Sequence, residues 1–222
     1  MLFAAGFGTR MQPLTHDRPK PLIPVAGRPL IDHALSLTGA VSPRVVVANL
    51  HYKAQMLVDH LTPLGVQTII EKPEILDTGG GLRNALPLLG EGPVFTLNTD
   101  AIWVGPNCMT LLSEAWDPDK MDALLMCVPI ERAIGRKGTG DFDLSPDGQL
   151  SRGEPYVYCG AQIIKTDLIE TVPEAAFSLN VIWNKMREQN RLYGLSYPGS
   201  WCDIGHPEGI ALAETFLSSA DV

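Results

Sequence analysis

Charge is scarce in this 222-residue chain, and positive charge scarcer still. Charged residues make up 19 %, with 17 Lys plus Arg against 25 Asp plus Glu. The formal charge of -8 excludes a general nucleic-acid surface, which needs a broad basic footprint to meet a phosphate backbone. One small anion held in a local basic pocket remains compatible with it. Cysteine is sparse as well. The four residues, Cys108, Cys127, Cys159 and Cys202, lie far apart and form no C-x-x-C pair. Metal clusters and a dense disulfide framework are therefore not expected, whereas free thiols in a reducing cytoplasm are. No apolar run approaches the roughly 20 residues of a membrane-spanning helix. Met1 to Ala5 meets glycine too soon for a signal peptide. That segment is also short for the strand expected there, which leaves room for natural residues ahead of Met1. Internal repeats and low-complexity linkers are missing too.

What is present suits a folded protein. Hydrophobic residues reach 45 %, enough to argue against disorder, and a chain this long buries roughly 70 % of its extended surface on folding. The length fits a single domain better than two. Apolar runs alternate with amphipathic stretches. Strands are expected at 1–5, 44–49, 67–71, 94–98, 123–129, 156–164 and 192–197, and helices at 29–38, 53–62, 80–88 and 108–114. Continuous apolar strands between helices predict an α/β sheet with helices on both faces, its ligands gathering at the carboxyl ends of the strands.

The second half reads differently. Residues 141–150 predict two short strands about a Pro-Asp-Gly turn, and 178–190 a helix with Leu179, Ile182, Trp183 and Met186 at core spacing. A last helix is expected over 207–218, and this part should decorate the sheet's open edge.

The strongest local signal is Ala4-Ala5-Gly6-Phe7-Gly8-Thr9-Arg10-Met11 after a short apolar strand. Glycines let backbone approach a phosphate, successive N–H groups form an anion nest, and a helix after the loop adds its N-terminus. Met11 breaks the dinucleotide fingerprint, and no Gly-Lys-Ser/Thr ending makes it a Walker loop. Downstream, Pro19 and Pro21 flank Lys20 and restrict the backbone that carries it. Asn98-Thr99-Asp100 ends an apolar strand, where polar groups are costly without a task. Asp203 follows about a hundred residues later. Thr78-Gly79-Gly80-Gly81 opens a helix and could offer a backbone-lined cleft or simply a glycine-capped loop.

These motifs, in this order and spacing, resemble the signature of the sugar-1-phosphate nucleotidyltransferases, which read Ala-Ala-Gly-x-Gly-Thr-Arg-Met and then Pro-Lys-Pro-Leu. The resemblance covers most of the chain. Within that family it is closest to the branch of bacterial N-acetylmuramate-1-phosphate uridylyltransferases, compact enzymes without a C-terminal extension. It implies a Rossmann-like three-layer α/β/α nucleotidyltransferase fold with a predominantly parallel mixed sheet. Residues 1–222 would form one domain, 1–130 holding nucleotide and 131–222 supplying the sugar-binding part and C-terminal helices.

The resemblance further implies a nucleotide site of Ala4, Ala5, Gly6, Gly8, Thr9, Arg10 and Asn98, with Thr78, Gly79 and Gly80 at the base. Arg10 would hold the leaving pyrophosphate, and Lys20 would bridge the α-phosphate and the sugar phosphate. Asp100 and Asp203 would hold Mg2+, which prefers hard oxygen ligands. Thr99 stands where relatives often carry glycine. Gly140, Asp141 and Gly160 are carried over as sugar-site residues. A second lysine that many relatives place at the sugar phosphate has no counterpart, since Arg152 and Lys165 fit its motif poorly. His16 and His206 read as structural. The expected reaction joins an NTP, UTP on this branch, to a sugar 1-phosphate such as N-acetylmuramate 1-phosphate, in a cytoplasmic monomer of the peptidoglycan recycling route. Other sugar or choline phosphates, and a nucleotide sensor without catalysis, are the alternatives.

Overall fold

The computed structural model describes residues 1–220. In chain order the strands are β1 (Leu2–Phe3), β2 (Pro24–Val25), β3 (Arg28–Pro29), β4 (Val47–Leu50), β5 (Gln67–Ile70), β6 (Val94–Asn98) and β7 (Ala101–Val104). They continue as β8 (Ala123–Pro129), β9 (Ala133–Ile134), β10 (Phe142–Leu144), β11 (Leu150–Arg152), β12 (Tyr156–Ile164), β13 (Leu192–Ser196) and β14 (Ser200–Asp203). The helices are α1 (Leu30–Thr38), α2 (Ala54–Leu61), α3 (Asp77–Leu89), α4 (Cys108–Ala115), α5 (Leu179–Glu188) and α6 (Glu208–Ala220).

The main sheet runs β5-β4-β1-β6-β12-β8-β13, and every strand in that path points the same way except β12, which is antiparallel to both neighbours. Alternation along β8 shows how the two faces are filled. Ala123, Leu125 and Cys127 join a core with α3 and α5. Leu124, Met126 and Val128 face the other way, into the core of α1, α2 and α4. The result is a mixed sheet between two helical layers, as the sequence led us to expect. All four cysteines are buried, Cys108, Cys127 and Cys159 in the two cores flanking this sheet and Cys202 in a separate, smaller one. The hairpin β10–β11 pairs Phe142 with Arg152 around the Pro-Asp-Gly turn and attaches to the start of β12.

A smaller sheet, β7-β14-β9, stands apart and was not legible beforehand. With α6 and Met11, Ile23, Val25 and Leu30 it builds a third cluster of buried residues. Two of its strands carry site residues at or beside their ends. Among the described residues no helix is long and apolar enough to cross a membrane.

Candidate active site

Parallel strands deliver the first elements of the site. At the carboxyl end of β1 the chain continues into Ala4-Ala5-Gly6, with the Ala4 N–H donating to Asn49 Oδ1 at 3.1 Å. Asn49 in turn donates to buried Glu71 at 2.7 Å. At the end of β6, the Thr99 hydroxyl donates to Phe3 O at 2.8 Å, tying the two strand ends together. Threonine at this position is thus a staple.

Gly8 lies in the left-handed region (φ 64), and Thr15 Oγ1 donates to its carbonyl at 3.0 Å. A Cβ on Gly8 would sit 2.9 Å from Lys20 Cβ, so the loop wraps the lysine stem and only glycine fits there. The expected helix after this loop is absent. Thr9–Met11 form one 3-10 turn, and Gln12 already has an extended backbone before Pro13. Any anion held here would have to be met by the loop's own N–H groups, without a helix N-terminus behind them.

Lys20 opens a second 3-10 turn, after Pro19 and ahead of buried Pro21, and directs Nζ to Asp100 Oδ2 at 2.8 Å. Asp203 reaches the same place through the small sheet. Antiparallel pairing sets Asp203 opposite Ala101, one residue past Asp100, and Ile204 N donates to Asp100 O at 2.9 Å. Strand register thus brings together two carboxylates distant in sequence. Burial pushes the Asp203 carboxyl above the usual carboxylate range. Asp100 pushes it the same way, against the pull of Lys20, Arg10 and Arg136.

Two such carboxylates repel, and a hard dication would relieve the repulsion. Among the described residues there is no group of three or more His, Cys, Asp and Glu to enclose a metal. Phosphate and water oxygens would have to complete the shell, as they do for Mg2+ in nucleotide sites. The donor set fits that ion.

Three cavities meet here. The first, about 250 Å³, is lined by Ala4, Ala5, Gly6, Lys20, Asn49, Thr78, Asn98 and Asp100 among others. A second of about 300 Å³ shares Gly6, Lys20 and Asp100 with it and adds Gly8, Thr9, Arg10 and Gly205. The third, about 250 Å³, shares Thr78 and Asn98 with the first and opens toward Asp141, Arg136, Arg152, Asn180 and Trp183. Asp141 is firmly held: Oδ2 accepts from Tyr158 N at 3.0 Å and Oδ1 from Arg136 at 3.3 Å.

The remaining expected residues stand behind these walls. Gly79 and Gly80 both donate their N–H groups to Phe177 O, at 2.8 and 3.1 Å. A Cβ on Gly79 would strike the Phe177 ring, and one on Gly80 the Ala175 carbonyl. Their missing side chains thus allow α3 to pack closely, and α3 begins at Asp77, three residues before its expected start. Thr78 reaches the cavity wall, while its hydroxyl accepts from Leu179 N at 3.0 Å. Gly160 lies within the irregular stretch of β12 between Tyr158 and Gln162 (φ 85), where a side chain would overlap Asn98. Gly140 packs against the Glu154 carbonyl.

Sequence reasoning missed Arg136 and the role of Arg152. Arg136 follows β9, whose parallel pairing with β14 runs it up to Asp203. Its Nε is buried with no hydrogen-bond partner among the described residues. Trp183, expected as core only, also lines the third cavity while Nε1 donates to Gln162 at 2.9 Å.

Known proteins are similar to this chain in sequence and fold. Residues 1–195 match the family model for the MobA-like NTP transferase domain. The chain is 40 % identical, over 99 % of its length and 97 % of the relative's, to an N-acetylmuramate alpha-1-phosphate uridylyltransferase of Caulobacter vibrioides. A protein of that name from Neisseria meningitidis is 31 % identical over 92 % of each chain. The structure of HddC from Yersinia pseudotuberculosis complexed with GMP-PN has the same fold, with a TM-score of 0.77 at 22 % identity over 97 % of both chains. The chain belongs to the MobA-like NTP transferase domain family and is a nucleotidyltransferase.

Proposed function

We propose that this protein transfers a uridylyl group from UTP to N-acetylmuramate 1-phosphate and releases pyrophosphate. The observation that carries this reading is the convergence of the Gly6–Arg10 loop, Lys20 and Asp100 on joined cavities, with Asp203 set beside Asp100 by strand pairing. Relatives of matching length and stated activity supply the substrates.

A sugar phosphate is already an anionic nucleophile near neutral pH, so no general base is required. Its oxygen attacks the α-phosphorus in line with the departing pyrophosphate. The protein must hold two repelling anions together and offset the charge that builds up. In this reading Ala4, Ala5, Gly6, Gly8 and Thr9 cradle the nucleotide, and the exposed Arg10 guanidinium receives the β- and γ-phosphates. Lys20 leaves Asp100 to bridge the α-phosphate and the sugar phosphate. Asn98 and Thr78, shared by the first and third cavities, mark the boundary between base and sugar. Arg136, beside Asp203 and with no partner for its buried Nε among the described residues, supplies the sugar-phosphate cation for which the sequence showed no lysine.

Mg2+ held by Asp100 and Asp203 would polarise the phosphate oxygens and neutralise their charge. The reading further places the reaction in the cytoplasm, in a monomer that returns a peptidoglycan sugar to use.

The test is a panel of NTPs against sugar 1-phosphates, read by mass spectrometry of the nucleotide-sugar and by pyrophosphate release. Formation of UDP-N-acetylmuramate ahead of every other product is expected. Preference for another sugar or base would replace the substrate assignment. Nucleotide binding without product would replace the transferase reading by a sensor.

A further inference from the structure

One cation of the third cavity has no task in the transfer described above. We propose that Arg152 receives the carboxylate of the sugar 1-phosphate, and so selects a sugar acid over its uncharged parent. This rests on the substrate reading given under Proposed function, because N-acetylmuramate differs from N-acetylglucosamine by a lactyl ether that ends in a carboxylate.

Arg152 is positioned but not neutralised. Its Nη2 donates to Asn180 Oδ1 at 2.7 Å and to Asn184 Oδ1 at 2.9 Å, and its Nε to Asn184 Oδ1 at 3.2 Å. The two asparagines are four residues apart on α5 and therefore share one face. Both are neutral acceptors, so they fix the fork without cancelling its charge. Nη1 has no hydrogen-bond partner among the described residues. The guanidinium carbon lies 4.8 Å from the centroid of the Phe142 ring, opposite Arg152 in the hairpin ladder. That contact holds the guanidinium plane at the cavity wall.

Arg136, on the same cavity, is engaged by Asp141. Arg152 has no ion pair among the described residues. Burial and the nearby Arg187 both disfavour its charged form, with only Asp141 opposing them. Ser178, Leu179 and Asn180, at the N-terminal end of α5, line the same wall, so the helix dipole adds to the pull on an anion. A planar fork of this kind matches a carboxylate.

The test uses the full chain with UTP and two acceptors, N-acetylmuramate 1-phosphate and N-acetylglucosamine 1-phosphate. The wild type should prefer the first in kcat/KM. Arg152→Gln should lower the ratio between the two acceptors by about 10- to 100-fold, the loss expected for a charge-assisted hydrogen bond, with most of it in KM. Arg152→Lys should recover part of the ratio. Asn180→Asp leaves Arg152 in place but supplies a carboxylate of its own, so it should lower the ratio too. That variant decides the matter if Arg152→Gln does not fold.

Equal losses on both acceptors, or an Asn180→Asp protein with the wild-type ratio, would overturn the assignment of Arg152 alone. A wild type that uses both acceptors equally would overturn the substrate reading and this inference with it.

Discussion

Replacing Gly81 by alanine sets two effects of opposite sign against each other. Gly81 lies in the first turns of α3, and alanine in a helix interior is favoured over glycine by about 1 kcal/mol. Propensity alone thus calls for stabilisation. The structure calls for the reverse. A Cβ on Gly81 would stand 2.7 Å from Asn49 Nδ2 and 2.7 Å from Glu71 Oε1, the two atoms that share a 2.7 Å hydrogen bond.

Both are ends of side chains, which could move if they were loose, but neither is. Asn49 and Glu71 are 3 % and 1 % exposed. Asn49 Oδ1 is held by Ala4 N, and Glu71 Oε2 by Leu76 N at 2.8 Å. Separating the pair strands a buried donor and a buried acceptor, at about 1–3 kcal/mol each. The net effect is a loss of about 1–5 kcal/mol, which for a chain of this size lowers Tm by roughly 2–20 °C. Thermal unfolding followed by circular dichroism measures it, with Gly39→Ala as the control. Gly39 has helical φ (-59) and nothing within 4 Å of its absent Cβ, so that variant should match or exceed the wild type. A Gly81→Ala protein as stable as wild type would mean that the buried pair yields by a few tenths of an ångström, and the reasoning would fail.

Two further outcomes follow from the charges of the site. Lys20→Ala should reduce kcat/KM by about 100- to 1000-fold, the usual loss for one preorganised charge-stabilising group. Steady-state pyrophosphate release measures it, and a loss under tenfold would remove Lys20 from the transfer. Asp203→Asn should abolish turnover yet raise Tm at neutral pH. The folded carboxyl titrates above its ordinary value of 3.8, so the native state holds its proton more tightly than the unfolded chain. Stability from this group is complete below that value and is lost as pH rises through the folded one. The advantage of the variant should therefore widen from about pH 4 upward. Melting curves across that range decide, and a gap that does not change with pH would refute the assignment.

Much of the frame was legible because burial on both faces leaves continuous apolar runs. Ala123 to Pro129 and Tyr156 to Ile164 could be read as strands without knowing their partners. Gly6 to Arg10 and the proline-flanked Lys20 were legible because their constraint is local backbone geometry. The strand beneath Asp203 was not. β14 is four residues long, and its partner β7 comes about a hundred residues earlier. Its existence depends on a tertiary pairing that leaves only a weak pattern. The glycines after Thr78 were ambiguous for another reason. Close approach of a ligand and close approach of the Phe177 backbone demand the same missing Cβ. Arg152 left no local trace, since its meaning comes from α5 brought over the hairpin.

Few cations serve this chain, and the cleft compensates them with its own aspartates. Lys20 lies on Asp100, Arg136 on Asp141, and Arg10 beside Asp203. Within the cleft this pairing keeps clustered cations from repelling one another. It also means that an arriving phosphate meets carboxylates as well as cations, and gains little from the cations until those carboxylates are otherwise occupied. Asp100 and Asp203 would hold a dication, whose charge would offset theirs and leave Lys20 to the phosphates. Arg152 differs in kind. Its neighbours within hydrogen-bond reach are neutral, so an incoming carboxylate displaces no internal partner there. Under the proposed reading, the two ends of the sugar substrate are therefore recognised by different physics. Exchange of ion pairs operates at the phosphate, where charge must be redistributed during transfer. A charge fixed in advance operates at the carboxylate, where nothing reacts and selection is the whole task.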